Sequence, residues 1–299
     1  MIKELTFEQE GEQGLRMDYF HVQTLDSILI FPSTGNEIVL TDTSGHVKNK
    51  IKVKSPEGYA GLFLHNSYYL SPPQISGNRL IGRVRGMVRP NEINQEQLNS
   101  MSLLMSVNLK DESISLLPFG FPEDYLENGQ KQLEFSILKN GDQTVVSFMG
   151  DHKIYFKGSE EETWQSKICK SSFLDESMPT FPKDIDSRGY NTYALATSRY
   201  ESLVFDPFRK VYYRFAYPTI QIESDEKLRS LRTNPGPFVI MVMDRDFNIL
   251  TERKFDAGRY FPSNYFVGEK GLYLSTNHPE NPEAKEDFLN FELLELIEE

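Results

Sequence analysis

Apolar residues occur along the chain in short runs, of strand length rather than helix length, separated by clusters of Gly, Pro, Asn, Asp and Ser. Residues 202–218, SLVFDPFRKVYYRFAYP, show the pattern most completely. Their apolar run breaks at Asp206-Pro207 and resumes at Lys210, which predicts two strands joined by a tight turn. On the second of these strands Val211, Tyr213 and Phe215 fall on one face, and Tyr212, Arg214 and Ala216 on the other. Residues 27–31 (SILIF) and 238–243 (FVIMVM) do not alternate, so they are expected to be buried on both faces. Each is followed by a half-exposed strand. In residues 47–53, Val47, Ile51 and Val53 alternate with Lys48, Lys50 and Lys52, and residues 248–255 pair back on 238–243 across the MDRDFN turn.

The remaining strands are expected at 2–7, 17–22, 37–40, 62–64, 68–70, 80–84, 133–138, 144–149, 153–156, 163–168, 264–267 and 272–275. Residues 103–107 and 113–117 form a hairpin around Lys110-Asp111. Turns fall at 10–14 (EGEQG), Gly35 and Gly45. Helical turns are expected within the polar segment 91–99 and over 224–232, where Leu228 and Leu231 share a side. A short helix is also expected over 122–129, with Pro at its start and Gly just past its end. Residues 170–188 read as loop. Residues 288–297 fit a helix by their three-residue step and a strand by the alternation of Leu289, Phe291 and Leu293. The strand is preferred, because every other long apolar run is one.

The strands come in successive groups, mostly of four, beginning near residues 15, 60, 131, 200 and 262. A buried strand followed by a wet one, repeated in this way, is what radially stacked antiparallel sheets require. The expected fold is therefore all-β, a β-propeller of four-stranded antiparallel blades in a single domain over residues 1–299, with about five blades readable. The last group lacks a clear fourth strand, which residues 2–7 could supply by pairing first with last. A β-sandwich is the rival, but one sandwich core rarely grows to this length.

Composition adds mass to that core and removes several partners. The chain has 299 residues, of which 38% are hydrophobic and 12% aromatic, including 21 Phe and 15 Tyr, so it can bury a large core. Its net charge of −12 makes nucleic acid and anionic membrane surfaces poor partners. Cys169 is the only cysteine, which excludes an intramolecular disulfide and a Cys-based zinc site. The chain opens without a basic or apolar leader, and no run approaches the roughly 18 apolar residues of a spanning helix. It is expected to be soluble as it stands.

The segments EGEQG (10–14), LDSILIF (25–31), VVSFMGDHKIYF (145–156) and FDPFRKVYYRF (205–215) resemble, in order and over nearly the whole chain, a family of TolB-like six-bladed β-propellers of unknown function. Its members are mostly predicted envelope lipoproteins of Bacteroidetes. The resemblance implies six blades and a cell-envelope location, with a lipid anchor in the full-length protein. In that family a further blade and a lipoprotein signal precede the segment matching residues 2–14. Two readings stay open here: a chain trimmed at its start, or a ring closed with fewer strands. The family supplies no catalytic residues.

Candidate chemistry is sparse. The histidines, at 21, 46, 65, 152 and 278, form no local metal pair, although a ring fold could bring His21 and His65 together. Asp244, Asp246 and Asn248 alternate like a calcium loop but lack its Gly and its distal Glu, so a structural turn is preferred. Ser224 to Lys227 matches SxxK without companion motifs. Acidic clusters at 160–162, 223–226 and 280–287 read as solvated loops. Arg83, Arg85, Tyr212 and Arg214 are the candidate ligand-binding residues. Arginine on a buried strand must have a partner, and Arg with Tyr suits carboxylates and sugars. The structural alternative, preferred for Arg214, is an ion pair such as Arg214 to Asp206. The expected function is ligand or protein binding, or scaffolding, at the envelope without cofactor or metal, the partner being a protein, glycan or peptide. A hydrolase or lyase acting on a glycan or peptide at the channel mouth is the alternative.

Overall fold

A computed structural model describes residues 17–297 except 33–36, 64–72, 159, 162 and 286. The strands expected at 2–7 and 68–70, the turns at 10–14 and Gly35, and His65 lie outside these residues. The described strands form five antiparallel sheets. The first runs β1 (Met17–Thr24), β2 (Ser27–Pro32), β3 (Glu37–Thr41), β4 (Val47–Lys52) in spatial as in chain order. The second contains β5 (Tyr59–Phe63), β6 (Gln74–Ser76), β7 (Arg79–Gly86), β8 (Leu104–Asn108) and β9 (Ile114–Leu117), with helix α1 (Gln95–Asn99) between β7 and β8. The third is β10 (Phe135–Asn140), β11 (Gln143–Phe148), β12 (Lys153–Lys157) and β13 (Gln165–Ile168). Helix α2 (Ser187–Ala196) leads into the fourth, β14 (Arg199–Asp206), β15 (Val211–Tyr217), β16 (Phe238–Met243) and β17 (Ile249–Phe255), with helix α3 (Asp225–Ser230) between β15 and β16. The fifth has three described strands, β18 (Phe261–Gly268), β19 (Gly271–Ser275) and β20 (Phe291–Leu294). The ambiguous segment 288–297 is thus extended where it is ordered into an element. Two compact units divide the sheets: one holds the first two, the other the last three.

Three hairpins use one turn device. The side chain of Asn108, Asp206 or Asp244 accepts the N–H two residues on, each at 2.9 Å. The turn then closes through a non-glycine residue in the left-handed region: Glu112 at φ 60°, Lys210 at φ 60° and Phe247 at φ 59°. The Asp244–Asn248 segment is therefore a turn, and its carboxylate is spent on the Asp246 and Asn248 backbone and on Asn248 Nδ2. Residues 122–129 form turns instead of the expected helix. Tyr125 and Leu126 are buried there, and the Leu126 N–H goes to Gln95 Oε1 at 2.7 Å instead of to a helical carbonyl. Helix α2, which hydrophobic periodicity does not announce, starts at Asp186, whose carboxylate accepts the Gly189 N–H at 2.6 Å. Its far end packs Leu195 and Ala196 against Leu228 and Leu231 of the α3 region.

Within each unit, the sheets pack face to face. In the first, Leu29, Phe31 and Ile38 meet Leu80, Val84, Met105 and Val107. In the second, the fourth sheet is covered on both sides, as the absence of alternation in β16 requires. Tyr212, Met243 and Phe247 pack with Leu138, Val145 and Ile154 of the third sheet. On the opposite face Tyr213, Phe215, Ile240 and Phe238 pack with Leu272 and Leu274 of the fifth. Phe238 stacks on Phe255 with ring centroids 5.0 Å apart and interplanar angle 7°, and stands edge-on to Tyr260 at 6.4 Å. Phe238→Ala is expected to cost about 3–5 kcal/mol in urea unfolding, the range for emptying a buried aromatic site. A loss below about 1 kcal/mol would show that the site collapses around the cavity.

Candidate functional site

Arg214 lies mid-strand in β15 with no solvent exposure. Its Nε donates to Ser147 Oγ at 2.9 Å. Its Nη1 donates to the carbonyls of His152 (3.0 Å) and Cys169 (2.9 Å), and its Nη2 to those of Asp151 (2.7 Å) and Lys153 (3.4 Å). All five N–H groups of the fork are used. The guanidinium also sits 3.3 Å from the centroid of the Tyr200 ring. The Tyr200 hydroxyl in turn meets His152 Nδ1 at 2.8 Å and accepts the Ser171 N–H at 3.1 Å. The ion pair expected between Arg214 and Asp206 does not form. Asp206 is spent on Arg209 (3.2 Å), on the Tyr213 hydroxyl (3.0 Å) and on its own turn. Burial pulls the Arg214 pKa down, with nearby Tyr200 and Cys169 opposing it.

Tyr212 is likewise fully buried. Its hydroxyl accepts from Asn140 Nδ2 at 2.9 Å and donates to Gln143 Oε1 at 3.3 Å, at the β10–β11 turn. Tyr212 and Arg214 share one face of β15, as alternation requires. Arg83 and Arg85 share a face of β7 in the other unit, Arg83 buried and Arg85 exposed, and both are engaged by neighbours in the fold. His278 is buried, its Nε2 facing the Pro235 carbonyl and its Nδ1 accepting the Glu280 N–H. Ser224 caps α3 by accepting the Lys227 N–H at 3.1 Å, which accounts for the SxxK match. Among the described residues no group of three or more His, Cys, Asp and Glu side chains is placed to hold a metal ion.

The composition of one pocket was not legible from the sequence. It opens where α2 feeds β14, and where β15 ends and β18 begins. Its cavity measures about 40 Å³. Arg199 and Glu201 alternate on β14 and so face it together. Arg199 Nε binds Glu201 Oε1 at 2.9 Å, with the two side chains only 12% and 3% exposed. Arg199 Nη1 reaches the Leu195 (3.2 Å) and Thr197 (3.4 Å) carbonyls, two acceptors that the end of α2 leaves open. The guanidinium stacks over the Tyr217 ring, 4.3 Å from its centroid. Its Nη2 makes no hydrogen bond to the described residues. Arg232 adds a second cation to the wall, and Pro218, Pro235, Pro237 and Pro262 make it rigid. Burial holds the Glu201 carboxyl above its ordinary range despite Arg199 beside it. Burial, and then Glu201, push the Tyr217 hydroxyl far up. The retrospective signal is the Arg-Tyr-Glu alternation at residues 199–201, where a charged pair opens a strand that is otherwise apolar.

Successive antiparallel meanders of this kind, packed face to face within each unit, define the β-propeller class. The model of DUF4221, a domain of unknown function, matches residues 1–254, and the chain belongs to that family. It is similar to the crystal structure of a DUF4221 member from Bacteroides vulgatus ATCC 8482, with TM-score 0.83 and 22% identity over 98% of this chain and 82% of that one. That likeness establishes the shared fold. More distant similarities include an oligogalacturonate lyase in complex with manganese, with TM-score 0.41 and 9% identity over 85% of this chain and 56% of that one. Another is Hsv2 of Kluyveromyces lactis, with TM-score 0.39 and 7% identity over 88% and 78%. No curated protein matches the chain.

Two measurements check these environments. Arg214→Lys is expected to destabilise the protein by about 3 kcal/mol or more in urea unfolding, because a point charge cannot replace a buried fork that donates to four carbonyls and a hydroxyl at once. A loss below about 1 kcal/mol would contradict that role. For Glu201 the folded pKa is raised, so its protonation favours the folded state. That contribution is complete below the unfolded value of about 4.3 and is lost as pH rises through the folded pKa. The stability difference between wild type and Glu201→Gln should therefore fall with rising pH across that window. A difference that rises with pH would reverse the assigned sign.

Proposed function

We propose that the protein is a binding protein without chemistry of its own, which takes the carboxylate of a small acidic ligand in the Arg199 pocket. One observation carries this reading: a guanidinium clamped at Nε and Nη1 and stacked on an aromatic ring, with Nη2 uncommitted at a rigid cavity. Such a fork is pre-organised for an oxygen anion, so little entropy is lost when the ligand arrives. The narrow cavity suits a carboxylate better than a whole sugar, and the proline rim offers flat apolar faces to the body that carries it. Arg214 and Tyr212 belong to the framework in this reading, because their polar atoms are spent within the protein. The hydrolase alternative is weaker, since among the described residues a two-carboxylate mechanism finds only Glu201 in the wall of this pocket.

The wider setting rests on the family resemblance. It has the chain as a single TolB-like propeller domain of the Bacteroidetes cell envelope, six-bladed and lipid-anchored in its full-length form, with an acidic glycan fragment or peptide as its ligand.

Titration calorimetry with D-galacturonate, acetate and neutral galactose tests the pocket. Galacturonate should bind and galactose should not. Arg199→Met should weaken galacturonate at least tenfold, with folding checked by circular dichroism. If neither carboxylate titrates on the wild type, or if galactose binds as well as galacturonate, the reading is overturned.

A further inference from the structure

The second sheet has two unlike faces. Leu80, Val84, Met105 and Val107 point into the core on one of them. The opposite face is fixed by register. Arg79 on β7 stands opposite Ser76 on β6 and Asn108 on β8, and Ser106 on β8 stands opposite Ser115 on β9. Directly opposed residues of antiparallel strands share a face, and so do residues two apart along a strand. Ser76, Arg79, Ser106, Asn108, Ser113 and Ser115 are therefore gathered on one surface. Together with Asn78 they line an open basin of about 350 Å³, within the range of small-ligand sites.

Strand propensity does not account for this composition. Exposed strand positions favour Thr, Val and Ile, and serine gains nothing there by packing. Four serines instead share the wall of one basin with one arginine, and one of them is bonded to it. Arg79 Nε is anchored on Ser106 Oγ at 2.8 Å, and Ser106 is itself only 6% exposed. Neither Nη group of Arg79 makes a hydrogen bond to the described residues. Among the described residues no carboxylate lines the basin, in a chain whose net charge is −12. Asp111, in the β8–β9 turn, is bonded to Asn108 Nδ2 (3.0 Å) and the Ser113 N–H (2.9 Å).

We propose that this Arg79 basin binds a tetrahedral oxyanion carried as an ester, that is, a sulfated or phosphorylated ligand. The fork's two Nη groups can bind two oxygens of such a group side by side. The serine hydroxyls can donate to the remaining oxygens and accept from the hydroxyls of the body that carries the ester. The proposal is independent of the Arg199 pocket, which lies in the other unit and whose cavity is too small for a tetrahedral ester with its carrier.

Titration calorimetry on the full chain at pH 7 and low salt uses galactose 6-sulfate, galactose 6-phosphate, inorganic sulfate and phosphate, with galactose as the neutral control. The expected result is that at least one ester binds, that Arg79→Gln weakens it at least tenfold, and that affinity falls as salt is raised. Preference between the two esters tells a sulfated from a phosphorylated ligand. Ser115→Glu, which places a carboxylate in the basin at an exposed position, should abolish binding while leaving the unfolding midpoint unchanged. The proposal is overturned if no oxyanion titrates on the wild type. It is also overturned if galactose binds as tightly as its esters, or if both variants bind like the wild type.

Discussion

The second unit depends on a buried cation that has no carboxylate partner among the described residues. Arg214 leaves β15 and enters the third sheet, where its donors meet carbonyls at the start of β12 and just past the end of β13. The His152 carbonyl also accepts the Cys169 N–H at 3.0 Å, so the fork adds to the last rung between β12 and β13 and takes up the carbonyls around it. One planar fork supplies four of them and Ser147 besides. The Tyr200 ring covers the guanidinium face, and its hydroxyl extends the network to His152 and Ser171. Burying a charge this deeply costs several kcal/mol unless every donor is met, and here each donor has an acceptor. The apolar packing on either side of the fourth sheet is non-directional, whereas this network fixes how the third and fourth sheets meet.

The same principle separates framework from candidate function. An arginine whose five donors are spent internally can offer nothing to a ligand without breaking the fold. One that is anchored on one edge and open on the other is positioned for a partner. Arg214 is of the first kind, while Arg199 and Arg79 are of the second. Their locations follow the physics of sheets. The middle of a blade is dry and closed, and the ends and faces of strands are where backbone pairing stops and side chains can converge. The Arg199 pocket gathers at strand ends, where α2 and the loop carrying α3 deliver prolines and helix-terminal carbonyls.

Much of the fold was legible because strand periodicity is local. The boundaries of FVIMVM, the faces of β15 and the starting points of all five groups follow from alternation and turn residues alone. Helix α2 escaped notice because SRGYNTYALA has a weak apolar face, its support coming from tertiary contact with α3. Residues 122–129 carry the punctuation of a helix, yet Gln95 takes an N–H that the helix would need. Arg214 was recognisable as a buried arginine, but its partners were not, since backbone carbonyls have no residue identity to read. Arg199 and Glu201 carried a readable signal, a charged alternation opening an apolar strand, whose meaning depended on a cavity built from distant segments. The polar face of the second sheet was likewise hidden, because only the register puts its serines beside Arg79.

The most direct test of the central claim is a double-mutant cycle between Arg214 and Tyr200 followed by urea unfolding, using Arg214→Met, Tyr200→Leu and the double variant. If the cation is held by a connected network, the two losses should be non-additive, with a coupling of about 1–2 kcal/mol. Losses that add to within about 0.5 kcal/mol would mean that Arg214 and Tyr200 act separately, and the network account would fail.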